Sequence, residues 1–179
     1  MKDIINSYGI KFGIINGLIA AGLMFGTWAA GLDVFVTYQF ASSFIPFMIV
    51  ILIIAGLNLR RNNGGVLPFK DALRFAFLSY VIAAVIYAIG NYILFNLVDK
   101  ELTEKAFNLS LEKTKLMMEK LKTSDEEIEK TLEKAREGKG DTGFKTIFLG
   151  FGIGLIWDFV KSLLIAIIIR KEKPVFNEQ

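Results

Sequence analysis

The sequence predicts an all-α membrane protein, with four transmembrane helices and a helical extramembrane hairpin between helices three and four. Three observations carry that expectation. The chain is 53% hydrophobic, with a mean hydropathy of +0.47. Its apolar residues gather into four runs, each long enough for a helix to cross a hydrocarbon core of about 30 Å. Residues 99–145 hold eleven basic and twelve acidic side chains, more than half of all the charge in the chain. One membrane domain, 1–179, follows, with spans near 12–32, 40–59, 73–98 and 147–169 and a water-exposed insertion at 99–146.

The first run follows Lys2 and Lys11 and ends near Ala29-Ala30-Gly31, a pattern that a signal peptide shares. Its apolar stretch is longer than a signal core, and three further runs follow it, so it reads as a retained span. Gly9, Gly13 and Gly17 recur every four residues along it, beside Asn16. That spacing gives a membrane helix a small face for close approach to another. The second run carries Pro46 near its start, which membrane helices tolerate.

Between runs two and three, Arg60-Arg61-Asn62-Asn63-Gly64-Gly65 reads as a polar turn. Pro68 suits the first turn of a new helix, where a missing amide hydrogen costs nothing. Phe69, Ala72, Leu73 and Ala76 then form an apolar stripe beside Lys70 and Arg74, an interfacial entry to the third span. No Walker spacing surrounds the glycine pair, so a phosphate loop is not indicated.

The insertion resolves into two helices, near 99–121 and 125–137. Ser124 can cap the second, with Glu127 completing a capping box, and Gly138 and Gly140 can stop it. Phe107, Leu111 and Met118 on one helix and Ile128, Leu132 and Ala135 on the other give stripes that can pack together. Glu112 with Lys115 and Glu119 with Lys122 stand at helical spacing. The intermixed charge reads as a solvated spacer or as a docking platform for a partner.

An even number of spans places both termini on one side with Arg60, Arg61, Lys70 and Arg74. Lys2, Lys11, Arg170, Lys171 and Lys173 join them there, whereas the opposite first loop has Asp33 and no basic residue. The positive-inside bias therefore puts both termini in the cytoplasm and the insertion on the opposite face of the membrane.

Asp158 and Lys161 interrupt the last apolar run one helical turn apart. Ionisable residues inside a membrane are costly, so they mark function or a buried pair. Gly150 and Gly154 extend the same face and suggest that another helix lies close against it. Tyr80, Ala84, Tyr87 and Asn91 form a matching stripe on the third span, which places Tyr87 or Asn91 near Asp158. The candidate buried polar cluster is thus Asp158, Lys161, Tyr87 and Asn91.

Composition excludes much chemistry. With neither Cys nor His there is no disulfide, no thiolate catalysis, no imidazole acid–base chemistry and no Cys/His zinc site. Gly152-Ile153-Gly154 is followed by Leu155, and Asp158 has no second intramembrane Asp, so an aspartyl protease does not fit. No serine sits in a Gly-x-Ser-x-Gly elbow. Neither an enzyme nor a cofactor is expected, and a net charge of +3 gives no reason to invoke nucleic acid.

Taken together, Tyr8-Gly9 through Gly13 and Gly17, the loop Arg60 to Leu73, Met117-Met118 before Ser124-Asp125-Glu126-Glu127, and the Gly-rich last span ending in Arg170-Lys171 resemble a bacterial membrane family catalogued as domain of unknown function 4199. The resemblance implies a four-span bacterial inner-membrane protein and carries over no catalytic or ligand residues. The expected role is a structural or interaction subunit within the lipid bilayer, as a homo-oligomer or with a membrane protein partner. The alternative is a small transporter or channel component for protons, ions or small solutes, using Asp158 and Lys161.

Overall fold

The computed structural model describes residues 2–42, 46–137 and 144–172. It is all-helical among these residues: α1 (Lys2–Ala29), α2 (Leu32–Ser42), α3 (Phe47–Asn62), α4 (Phe69–Ile93), α5 (Leu102–Lys120), α6 (Asp125–Glu137) and α7 (Phe144–Ile169). A π-helical turn, Leu94–Val98, extends α4. Three helical stretches are long and apolar enough to cross a membrane, Asp3–Ala29, Phe69–Val98 and Leu149–Ile169. The number rises to four if α2 and α3, which lie at 54° to one another, make one span.

The first two expected spans need correction. The first helix does not run over 12–32 but spans Lys2–Ala29, its opening turns held by packing of Ile5 in the core and of Gly9 against α4. It stops before Gly31, whose φ of +116° lies in the region that only glycine enters without strain. In place of a continuous helix over 40–59 there are two, α2 and α3. Pro46 precedes α3, and proline neither donates an amide hydrogen nor permits helical geometry easily at the residue before it. At 16 residues, α3 alone reaches about 24 Å, short of the hydrocarbon thickness. The expected stops at Gly138 and Gly140 lie outside the described residues.

Helices α1 and α4 run side by side in the same direction, and the glycine row of α1 sets their separation. A Cβ at Gly9 would lie 2.9 Å from a Leu78 methyl, and one at Gly17 would lie 2.9 Å from the Ile86 Cβ. At Gly13 the obstacle is the Ser79 carbonyl oxygen itself, 2.8 Å away. Such closeness permits a hydrogen bond between helices: the one Ser79 hydroxyl hydrogen is shared between the Gly9 carbonyl at 3.0 Å and the Phe75 carbonyl at 2.9 Å.

Helix α7 packs antiparallel to α4, and its last turn is fastened to the connection before α4. The Leu67 and Lys171 backbones exchange hydrogen bonds of 2.9 and 2.8 Å. Arg60 Nη1 donates to the Ile169 carbonyl, a helix C-terminus where a cation is favoured. The Glu172 carboxylate accepts from the Phe69 amide at 3.0 Å and so caps the start of α4. Asn62 donates to the Tyr8 hydroxyl at the same end. Beneath these contacts lies a core of Ile5, Leu52, Leu59, Leu67, Phe75, Ile165 and Ile169. Gly56 leaves room there for Ile169, which would collide with any added Cβ.

The opposite end is organised around the insertion. Met24, Phe35, Val36, Leu94 and Leu102 form a second core that joins α1, α2, α4 and α5. Trp28 Nε1 donates to Asp99 Oδ2 at 3.2 Å, and Lys105 Nζ reaches Glu101 at 2.9 Å and Asp99 at 3.9 Å. The Glu101 hydrogen bond, with its charge and that of Asp99, holds the Lys105 ammonium above its ordinary pKa. Lys113 ties α5 to α2 through Asp33 at 2.7 Å and the Thr37 hydroxyl at 2.6 Å. The chain turns between α5 and α6 with Lys122 at φ +56°. Ile128 is buried, and Phe107, Leu111, Leu132 and Arg136 line a shallow groove between the two helices. Lys115 pairs with Glu119, four residues on, at 3.8 Å.

Because Lys113 and Asp33 are both substantially solvated, Lys113→Ala is expected to cost less than about 1 kcal/mol in chemical unfolding. A larger loss would mean that this tether, rather than the apolar contacts of Phe35 and Leu102, holds the insertion on the bundle.

Candidate functional site

The site grows from one property of the α4–α7 pair: the helices meet tightly at the end bearing Ile169 and diverge toward the other. Near Ile169 the contact residues are large, with Phe75 against Ile165 and Ile169. Further along, α4 offers Ala83, Ala84 and Ala88, and α7 offers Gly154 and Gly150. Small residues on both helices leave a cavity of about 470 Å³. Ala20 of α1 forms part of its wall, and Tyr38, Ser42, Phe47 and Met48 from the two sides of the α2–α3 break form another.

This geometry corrects the expectation for Gly150 and Gly154. A Cβ at either position would meet nothing within 4 Å. They do not admit a neighbouring helix but form part of the cavity wall. Their spacing matches that of Gly9, Gly13 and Gly17, which do lie close against α4. What differs is the opposing surface, which at Gly13 is the Ser79 carbonyl and at Gly154 is open space.

Asp158 lines the cavity together with Tyr80, Tyr87 and Asn91. Its Oδ1 accepts a 3.0 Å hydrogen bond from Lys161 Nζ, and its carbonyl accepts 2.6 Å from the Ser162 hydroxyl. The carboxylate side chain is 15% exposed and the lysine 43%, so the anion is recessed and the cation peripheral. Lys161 is not part of the cavity wall. Its ammonium stands 5.6 Å from the centroid of the Tyr80 ring.

The aromatic neighbour of the ion pair is therefore Tyr80, two helical turns from Tyr87. The charge of Asp158 also acts on the Tyr80 hydroxyl. The Tyr87 hydroxyl is instead hydrogen-bonded to the amide side chains of Asn91 and Gln39. The four expected residues thus divide between the Asp158–Lys161 pair and a Tyr87–Asn91 pair that share one cavity. The offset arises because α7 is fastened to α4 at Leu67–Lys171, which brings the middle of α7 opposite Tyr80.

Sequence reasoning missed the roles of Tyr80, Tyr38 and Gln39. Tyr80 could have been found, since it begins the stripe that continues through Ala84, Tyr87 and Asn91. Tyr38 and Gln39 lie on α2, whose separation from α3 no periodicity announces. Tyr80 is 2% exposed, and its hydroxyl meets no hydrogen-bond partner among the described residues. Asn16, one turn before the cavity-lining Ala20, is fully buried with its amide likewise unpartnered among those residues. Leaving such groups unpaired costs about 1–3 kcal/mol each. Of the two residues, Tyr80 lines the cavity and Asn16 does not.

No curated protein and no solved structure matches the chain. The model of one family matches residues 11–171, which takes in Gly13 and Gly17 of the glycine row, the α2–α3 break, the cavity and the insertion. On that match, the chain belongs to the family described as Protein of unknown function (DUF4199).

Proposed function

We propose that this is a four-span integral membrane protein that binds and passes a small polar solute through the cavity between α4 and α7. The observation that carries the reading is a recessed carboxylate, Asp158, opening into a cavity of about 470 Å³ beside the unpartnered Tyr80 hydroxyl. A pair kept only to specify helix packing would join two helices. Asp158 and Lys161 lie on one helix, and Asp158 lines the cavity.

The four-span reading rests on where the helices end. Helix α1 finishes beside Asp99 at the insertion end, and α3 finishes beside Tyr8 at the other. Together α2 and α3 therefore traverse the height of the bundle as one bent span. In this arrangement α5 and α6 form a hairpin outside the bilayer. Lys11, Arg60, Arg61, Lys70, Arg74, Arg170 and Lys171 belong to the end where α1 begins and α7 finishes. That clustering supports cytoplasmic termini and a periplasmic hairpin in a bacterial inner membrane. Binding and passage require no covalent step, in keeping with a non-enzymatic role.

A second reading, a subunit of a membrane assembly, draws on the outer face of α7. Ile153, Ile156, Trp157, Leu164 and Ile167 are all more than half exposed, a surface suited to lipid, a second copy or another membrane protein. Mass measurement of the intact particle in mild detergent separates these partners.

Passage is tested by stopped-flow swelling of proteoliposomes with urea, glycerol and methylammonium. At least one solute is expected to enter faster than into protein-free vesicles, and Gly154→Phe, which fills the cavity, should return it to the protein-free rate. Entry of all three at the protein-free rate contradicts the proposal.

A further inference from the structure

Resting on the reading that this cavity takes a solute, we infer that its occupant is a small organic cation, an ammonium that replaces Lys161 at Asp158. Among the described residues that line the cavity, Asp158 is the one with an acidic side chain. An anion would meet no lysine or arginine among the described residues of that wall, and a neutral solute would gain no ion pair with the carboxylate. The chain itself displays the interaction in an intramolecular form. The Lys161 ammonium is at once 3.0 Å from Asp158 Oδ1 and 5.6 Å from the centroid of the Tyr80 ring. An ammonium held between a carboxylate and an aromatic face gains both an ion pair and a cation–π contact, and the latter strengthens when water is excluded.

Lys161 is built to give way. Its side chain is 43% exposed and its four-carbon stem is flexible, whereas Asp158 is recessed at 15%. When a soluble ammonium enters, Lys161 swings outward and gives up its counter-charge while the carboxylate stays in place, a cost that the incoming ion pair must offset. The site then never presents a bare carboxylate to the membrane interior, whether empty or loaded. The rings of Tyr38, Tyr87 and Phe151 line the rest of the space against the organic portion of the incoming group.

The test is equilibrium titration of the purified full chain with three probes of similar shape: benzylammonium, benzyl alcohol and benzoate. Benzylammonium is expected to bind and the other two to bind at least tenfold more weakly, a difference of the size that one charge-assisted hydrogen bond supplies. Lys161→Met removes the competing ammonium and should tighten benzylammonium binding about tenfold. Asp158→Asn combined with Lys161→Met should lose it.

Benzyl alcohol or benzoate binding as tightly as benzylammonium overturns the inference, as does failure of all three to bind. Weaker binding by a folded Lys161→Met overturns it as well. The wild-type comparison of probes decides the matter by itself if a variant fails to fold. Solute flux without preference for cations leaves the passage proposal standing and removes this one, whereas cation binding without flux does the reverse.

Discussion

Gly13→Leu is expected to destabilise the bundle by about 3 kcal/mol or more, the cost of forcing a side chain into a filled interface. The first added carbon would lie 2.8 Å from the Ser79 carbonyl oxygen and 2.8 Å from the Ile82 Cβ. A flexible side chain could move aside, but a helix carbonyl cannot, so α1 must separate from α4. Separation would also break the Ser79 hydroxyl's bond to the Gly9 carbonyl and expose buried Asn16. Gly22→Leu on the same helix is the control, because nothing lies within 4 Å of its added Cβ. Thermal unfolding in detergent should show a large fall in midpoint for Gly13→Leu and little change for Gly22→Leu. Equal effects would mean that helix propensity, not the close approach to α4, governs these glycines.

The second large effect concerns the ion pair. Asp158→Asn leaves the Lys161 ammonium without its carboxylate in the membrane, at a cost of about 2–3 kcal/mol. Adding Lys161→Met should recover most of that loss, because an uncharged pair of side chains has no counter-charge to miss. The expected pattern is a destabilised single variant and a double variant near the wild type. A double variant as unstable as the single would show that the Asp158 side chain is needed for more than neutralising Lys161.

The class of the fold was legible because hydrophobic length has few other meanings. A run such as the one ending at Ile169 cannot be satisfied except in lipid or in a very large core. The glycine row of α1 was legible as a surface, since spacing alone puts Gly9, Gly13 and Gly17 on one face. The same spacing misled at Gly150 and Gly154. Periodicity tells which face is small and not what stands across from it, and across from Gly154 lie Ala84 and a cavity. The polar cluster was legible in part. Asp158 and Lys161 stand out because charge is rare in an apolar run, but their aromatic partner depends on the register of α7 against α4. That register is set by Leu67, Lys171 and Glu172, which lie outside both spans and carry no helical pattern. The division of the second span into α2 and α3 was signalled only by Pro46. A proline near a span is common enough that the contribution of Tyr38 and Gln39 to the site could not be read from it.

The most direct measurement uses the absence of cysteine from the chain, so that a single introduced thiol reports one position. Gly154→Cys lies in the cavity wall, where its side chain has room, while Ile156→Cys lies on the outward apolar face. Both are reconstituted in lipid vesicles and exposed to a water-soluble thiol reagent. The expected result is rapid labelling at Gly154→Cys and none at Ile156→Cys, two positions at nearly the same depth. An unreactive thiol at Gly154→Cys in the folded protein would mean that the space between α4 and α7 is closed to water and solute, and would contradict the account.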